Sequence, residues 1–233
     1  MSSDLQQIRV GLTSNHPCSY LQDRLERVAV AMEAEMQTAD NFELLLANGF
    51  RRSGDIIYKP HCDHCQACQA LRVSIAQFAP SRSQKRLLKQ VASQLTWQLK
   101  TTMDDNWFEL YSRYIEVRHR HGSMYPPRHD EFAKFATASW LDTQYLHLYL
   151  DQQLVAIAIT DILPNSASAF YTFFNPDSSL SLGTLAILIQ LQLAKSINKQ
   201  WLYLGYHIEQ CPAMNYKVRF SGHQKLVKQR WQG

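Results

Sequence analysis

The chain has 233 residues, of which 45% are hydrophobic and 19% charged, and its net charge is +4. That composition suits a globular protein able to bury a proper core in one large or two small domains. The longest apolar stretches, near Leu154–Ile159 and Leu185–Leu193, are too short or too interrupted to span a bilayer, which excludes a membrane-spanning protein.

Met1–Gln7 has neither the basic start nor the apolar core of a signal peptide, so a cytoplasmic location with reduced thiols is expected. Ile8–Thr13 then reads as a strand, and a first thiol follows in Pro17-Cys18-Ser-Tyr20. Ala39–Asn48 reads as a short helix stopped by Gly49, and Phe50–Tyr58 as a strand. Pro60 opens a loop, His61-Cys62-Asp-His64-Cys65-Gln-Ala-Cys68. Three close-set soft donors suit a tetrahedral zinc or an iron–sulfur cluster, and Cys18 is a candidate fourth ligand. His61 and His64 are either further ligands or simple neighbours. Leu71–Ile75 is short and β-like, and Ser81–Ser93 reads as a basic helix capped by Ser81.

Charge is unevenly spread. No Asp or Glu occurs from His64 to Met103, where Arg72, Arg82, Lys85, Arg86, Lys89 and Lys100 lie. The segment after Glu209 is also acid-free and carries Lys217, Arg219, Lys225, Lys228 and Arg230. Two such segments beside a cysteine cluster favour nucleic acid over a merely solvated basic face.

A composition shift near residue 100 places a boundary there, between a small cysteine-cluster domain (1–100) and a second domain (101–233). In the second, Asp104 or Asp105 caps a helix to about Arg120, and Arg128–Ser139 is another helix. Tyr145–Leu150, Leu154–Ile162 and Ala167–Phe174 read as successive strands; Val155, Ile157 and Ile159 alternate with smaller residues, the period of a half-buried strand. Leu182, Leu185, Ile189, Leu193 and Ile197 give a helix with one apolar stripe. Trp201–Tyr206 is a strand, Pro212–Phe220 a short helix, and Gln224–Gln229 a closing strand. This order resembles the core of GNAT-type acyltransferases, so the predicted class is α+β or α/β with a GNAT-like second domain. In those acetyltransferases a Gln/Arg-x-x-Gly-x-Gly/Ala turn holds the coenzyme A pyrophosphate. Here the turn is Leu180-Ser-Leu-Gly183-Thr-Leu185, without the basic or amide residue and the final small one. An acyl donor other than acetyl-CoA is therefore expected.

Longer strings carry a closer resemblance. Gly49-Phe-Arg-Arg-Ser-Gly54, Tyr58-Lys-Pro60 with its cysteines, and Pro80-Ser-Arg-Ser-Gln84 resemble the N-terminal half of the arginyl-tRNA–protein transferase family. Arg118-His119, Tyr171-Thr-Phe-Phe-Asn-Pro176, Ser181-Leu-Gly-Thr184, Leu202-Tyr-Leu-Gly-Tyr206 and Met214-Asn-Tyr-Lys217 resemble its C-terminal half. The length and cysteine spacing are similar to its bacterial, aspartate/glutamate leucyltransferase branch. The resemblance implies transfer of leucine from leucyl-tRNA to the α-amine of proteins beginning with Asp or Glu, the mark of a bacterial N-degron. It also implies a tRNA interface, for which Arg82, Lys85, Arg86, Lys89, Lys217 and Arg219 are candidates. Cys211, in Glu209-Gln-Cys-Pro212, is expected to be a core residue.

The implied chemistry is aminolysis of an activated ester, which requires no cofactor. An α-amine with a pKa of about 7.7–8.0 is already partly neutral at pH 7, so positioning matters more than a strong base. Tyr171–Phe174 and Leu204–Tyr206 are candidate walls of the cleft, splayed to offer a backbone N–H to the oxyanion. Tyr171, Tyr206 and Tyr216 are candidate proton relays or core aromatics, and Asp161 and Glu209 candidates to orient the ammonium or take its proton. For the acceptor's carboxylate the candidates are Arg51, Arg52, Arg72 and Arg118, whose planar guanidinium suits it. Tyr111, Tyr114, Arg118 and His121 are placed on one helix face. Alternatives stay open: an arginyl-tRNA donor on the same acceptors, a metal-stabilised RNA-binding protein without catalysis, or a peptide N-acetyltransferase.

Overall fold

The computed structural model describes residues 8–233; Met1–Gln7, read above for a leader, lie outside the described residues. In chain order the elements are β1 (Val10–Leu12), β2 (His16–Pro17), β3 (Leu25–Glu26), β4 (Val28–Ala31), α1 (Ala39–Ala47), β5 (Arg51–Ser53), β6 (Ile56–Pro60), β7 (Gln69–Ser74), α2 (Arg82–Val91) and β8 (Leu95–Lys100). They continue with α3 (Trp107–Arg118), α4 (His129–Ala136), β9 (Asp142–Leu150), β10 (Gln153–Ile162), β11 (Ser166–Phe174), α5 (Leu182–Ser196), β12 (Trp201–His207), α6 (Pro212–Asn215), β13 (His223–Val227) and β14 (Arg230–Gln232). The class is a mixed α+β fold with one large sheet.

That sheet has eight strands in the order β14-β13-β7-β12-β11-β10-β9-β8, and a four-stranded sheet, β1-β4-β6-β5, forms beside it. Strands β7 and β8 lie within residues 69–100, so the large sheet draws on both sides of the expected boundary. Side chains alternate across a strand, and two layers use this. Ala156 and Ala158 of β10 pack under α5 with Leu182, Leu185 and Ile189. Ile157 and Ile159 face the other way, into the aromatic residues Trp107, Tyr111 and Phe132 of α3 and α4. The expected half-buried strand is therefore buried on both faces from Val155 to Asp161. Along β12, Leu202 and Leu204 join α5, while Tyr203 packs with Phe42, Leu46 and Phe50 of the N-terminal unit.

Local signals set most boundaries. Thr38 caps α1 by accepting from the Asn41 amide. Ser81 and Gln84 form a reciprocal capping box that starts α2. Two readings change. Phe50–Tyr58 is a hairpin of β5 and β6, turned at Gly54, where φ is +57° and a Cβ would lie 2.8 Å from the Lys134 carbonyl oxygen. Gln224–Gln229 also becomes a hairpin, β13 and β14, turned at Lys228 and Gln229. Helix α3 stops at Arg118, so His121 does not share its face.

Candidate active site

Strands β11 and β12 run parallel for three residue pairs, Ser166–Trp201 to Ser168–Tyr203, and then part. Beyond that point β11 stays with β10, while β12 rejoins β7 only at Tyr206. Leu204 and Gly205 thus have no partner in the pairing register on either side, and Gly205 adopts φ +77°. This opening is where the sequence placed a cleft, with Tyr171–Phe174 and Leu204–Tyr206 as its walls.

Tyrosines gather around it. Tyr206 is buried, and its hydroxyl donates to the Gly49 carbonyl at 2.9 Å. Tyr171 packs edge-on against Phe132 and Phe135. Burial drives the phenol pKa of both well above the usual value, and that of Tyr216 upward. Such phenols stay protonated, which suits donation better than proton removal; the Tyr206 proton is already committed to the Gly49 carbonyl.

A cavity of about 110 Å³ abuts Tyr206 and is lined in part by Cys18, Tyr20, Tyr58, Cys62, Cys65 and Cys68. The N-terminal thiol is thus brought to the other three. Burial, and then the neighbouring Cys18, Cys62 and Cys65, push the Cys68 thiol up to about 12. Among the described residues, no three His, Cys, Asp or Glu side chains are grouped so as to hold one metal ion. His61 and His64 are exposed. A second cavity, of about 180 Å³ between α2 and α5, is mainly apolar and offers Lys195 and Gln192 as its only charged or amide-bearing linings.

Several candidates lie elsewhere than expected. Arg52 and Asp161 are both fully buried and bind each other: Nε donates to Oδ2 at 2.9 Å and a terminal nitrogen to Oδ1 at 2.7 Å. The same guanidinium donates to the Ala136 carbonyl and lies over the Phe170 ring, and Thr143 adds a hydroxyl to Asp161. Both side chains are sealed from solvent, and together they tie the β5–β6 hairpin to the large sheet. Arg72 stacks between Trp201 and Trp231 and donates twice to Gln224 Oε1. Arg118 is exposed and holds the Pro176 carbonyl. Glu209 projects into solvent from a 2.9 Å contact with His207. Cys211 is half-exposed at the start of α6 rather than in the core.

Arg82, Lys85, Arg86 and Lys89 are exposed along α2, and Gln84 ties that helix to the Arg219 carbonyl, so exposed Arg219 adjoins the same basic surface. Lys217 does not. It is buried, donates to the Tyr206 carbonyl at 2.8 Å, and burial lowers its pKa to about 7. Arg51 is equally buried and donates to the Gly205 carbonyl at 2.9 Å. Sequence reading missed Tyr20 and Tyr58, although Tyr20 stands two residues after a cysteine it singled out.

The sequence comparisons match the chain in two stretches. Residues 16–86 match the family model "Arginine-tRNA-protein transferase, N terminus", and residues 106–227 match its C-terminus counterpart. A Vibrio cholerae protein named aspartate/glutamate leucyltransferase is 68% identical over the full length of both chains. One of the same name from Vibrio vulnificus is 64% identical over both full lengths. Another, from Pseudoalteromonas atlantica, is 47% identical over 97% of each. With both halves matched in order and relatives aligned end to end, the chain belongs to the arginine-tRNA-protein transferase family.

Proposed function

We infer that the protein is an aminoacyltransferase that moves leucine from leucyl-tRNA to the N-terminal α-amine of proteins beginning with Asp or Glu. The observation that carries this is end-to-end identity of 60–68% with Vibrio proteins named for leucyl transfer to those two residues. The GNAT-like reading of the large sheet draws support from the parted β11–β12 pair, an opening that can admit the reacting ends of both substrates. At the start of α5, where such enzymes seat a pyrophosphate, Leu182 and Leu185 face the core and Gly183 lies against Phe174, so the turn offers no basic or amide side chain to one. An aminoacyl ester fits this cleft better than a coenzyme.

In the reaction the neutral α-amine attacks the ester carbonyl. The tetrahedral oxyanion then collapses, expelling the terminal ribose oxygen, which takes up a proton as the amine loses one. The backbone N–H groups at Leu204–Gly205, which have no partner in the sheet register, and the protonated Tyr171 phenol are the proposed stabilisers of the oxyanion, while Tyr206, bonded to the Gly49 carbonyl, shapes the wall. Holding amine and ester together in such a cleft can lower the barrier by about 7–11 kcal/mol. The exposed basic side chains of α2, with Arg219, are the proposed tRNA contact, and Arg51 the proposed contact for the acceptor's carboxylate. No step is assigned to a metal: the four thiols share a cavity but are not grouped around one ion.

The test is transfer by the purified chain from leucyl-tRNA or arginyl-tRNA to peptides beginning Asp, Glu, Asn or Lys. Leucine should appear on the Asp and Glu peptides alone. Arginine on those peptides, or acetyl groups delivered from acetyl-CoA in place of leucine, would overturn the assignment.

A further inference from the structure

We propose that Arg51 and Lys217 together form the seat for the side-chain carboxylate of the acceptor's first residue, making Lys217 a specificity determinant. This rests on the transfer reaction proposed above. The two cations hold consecutive carbonyls of β12: Arg51 binds that of Gly205 and Lys217 that of Tyr206. A Cβ on Gly205 would lie 3.6 Å from the Lys217 Nζ, so both charges sit against the Gly205–Tyr206 backbone, just past the point where β12 leaves β11.

Residue exposure is only 7% for Arg51 and 9% for Lys217. Among the described residues neither has a carboxylate within ion-pair distance, and Arg51 Nε is buried with no partner. The groups around Lys217 are Arg51, the Cys211 thiol, the Met214 sulfur and the Tyr206 carbonyl. Those around Arg51 are the rings of Tyr203 and Tyr206, with Tyr58 nearby.

Two like charges buried side by side raise the energy of the empty site, and an incoming anion relieves it. An RNA backbone needs cations on an open surface, which α2 supplies; a closed pair suits one carboxylate at the end of a chain. The pairing also addresses a specificity problem. Asp and Glu differ by one methylene, and the flexible lysine stem can follow that difference where a planar guanidinium alone is fixed.

The first experiment needs neither tRNA nor a variant. The full chain is titrated calorimetrically at pH 7.5 with a peptide beginning Asp and a matched peptide beginning Asn, in buffers of different ionisation enthalpy. Lys217, held at about 7 in the free protein, regains its proton beside a carboxylate. The Asp peptide should therefore draw in up to about three-quarters of a proton more than the Asn peptide. The Asp peptide should also bind at least about tenfold more tightly than the Asn peptide, and equal affinity for the two overturns the proposal, whatever the transfer assay shows.

The second experiment is Lys217→Met, which replaces a buried charge by an apolar chain of similar length. It should raise KM for Asp and Glu peptides about tenfold to a hundredfold, affect kcat far less, and leave leucyl-tRNA affinity unchanged. Lys217→Arg should restore part of the loss. Weakened leucyl-tRNA binding with an unchanged acceptor KM would assign the cations to the RNA and overturn the proposal.

Discussion

Arg51 and Arg52 are neighbours on one short strand, equally hidden from solvent, and they meet opposite fates. Alternation along β5 sends their side chains to opposite sides. Arg52 meets Asp161, two backbone carbonyls, a threonine hydroxyl and an aromatic face. Arg51 meets carbonyls and tyrosine rings, and a second cation in place of an anion. A buried charge with every nitrogen engaged is a fastener. One left without a counter-charge is a receptor, because its electrostatic cost is recovered only when something negative arrives.

The comparison can be broken most forcefully on the fastened side. Asp161→Ala strands the Arg52 guanidinium and should destabilise the fold by about 3–5 kcal/mol, read as a fall in the urea midpoint. A loss under 1 kcal/mol would show that the pair is not what holds the hairpin to the sheet.

On the receptive side the sign reverses. Burial holds Lys217 at about 7 in the folded chain, below its unfolded value of about 10.4. The unfolded state then binds more protons between those values, so this residue makes stability rise with pH from about 7 to 10.4. Lys217→Met removes that dependence. It should stabilise the free protein by roughly 1–3 kcal/mol at pH 7 and below, after loss of the Tyr206 hydrogen bond, with the gain fading by about pH 10.4. Destabilisation at pH 6 would mean that the site already holds a counter-charge.

A sharper contrast comes from exposed cations. Lys85→Ala with Arg86→Ala should weaken leucyl-tRNA binding by about tenfold at low salt and flatten its log–log salt slope by roughly 1.5 units. Thermal stability should stay within about 0.5 kcal/mol of the parent. An unchanged slope would remove α2 from the interface. The smallest effect is expected at Glu209, whose side chain is 79% exposed: Glu209→Gln should leave kcat within about twofold. A larger fall would return this carboxylate to the reaction.

What the sequence revealed follows the range of the forces involved. The capping box at Ser81 and Gln84 is a four-residue affair, and the start of α2 was legible to the residue. Alternation located β10, and the strings around Tyr171 and Tyr206 fall on β11 and β12, the pair that parts. The Arg52–Asp161 bond joins positions 109 residues apart, and no local pattern announces it. Lys217 belongs to an acid-free run that reads as surface charge, yet the 3-10 turn Tyr216–Arg219 directs it inward while leaving Arg219 outside. Composition counts charges without registering which way each one points. The uniformly β-like flanks of Ser53-Gly54-Asp55 hide that turn from a local reading.

Strand β7 has consequences for how the molecule is made. Its neighbours in the sheet are β12 and β13, the one antiparallel on either side, and both come from the last thirty-odd residues of the chain. At a ribosomal pace of about 5–20 residues per second, β7 waits on the order of 6–25 s for its first partner to be synthesised. Throughout that interval two backbone edges and the apolar side chains of Leu71 and Val73 have no sheet to enter. Nascent chains stalled before residue 201 should therefore engage holdase chaperones strongly and release them once β13 emerges.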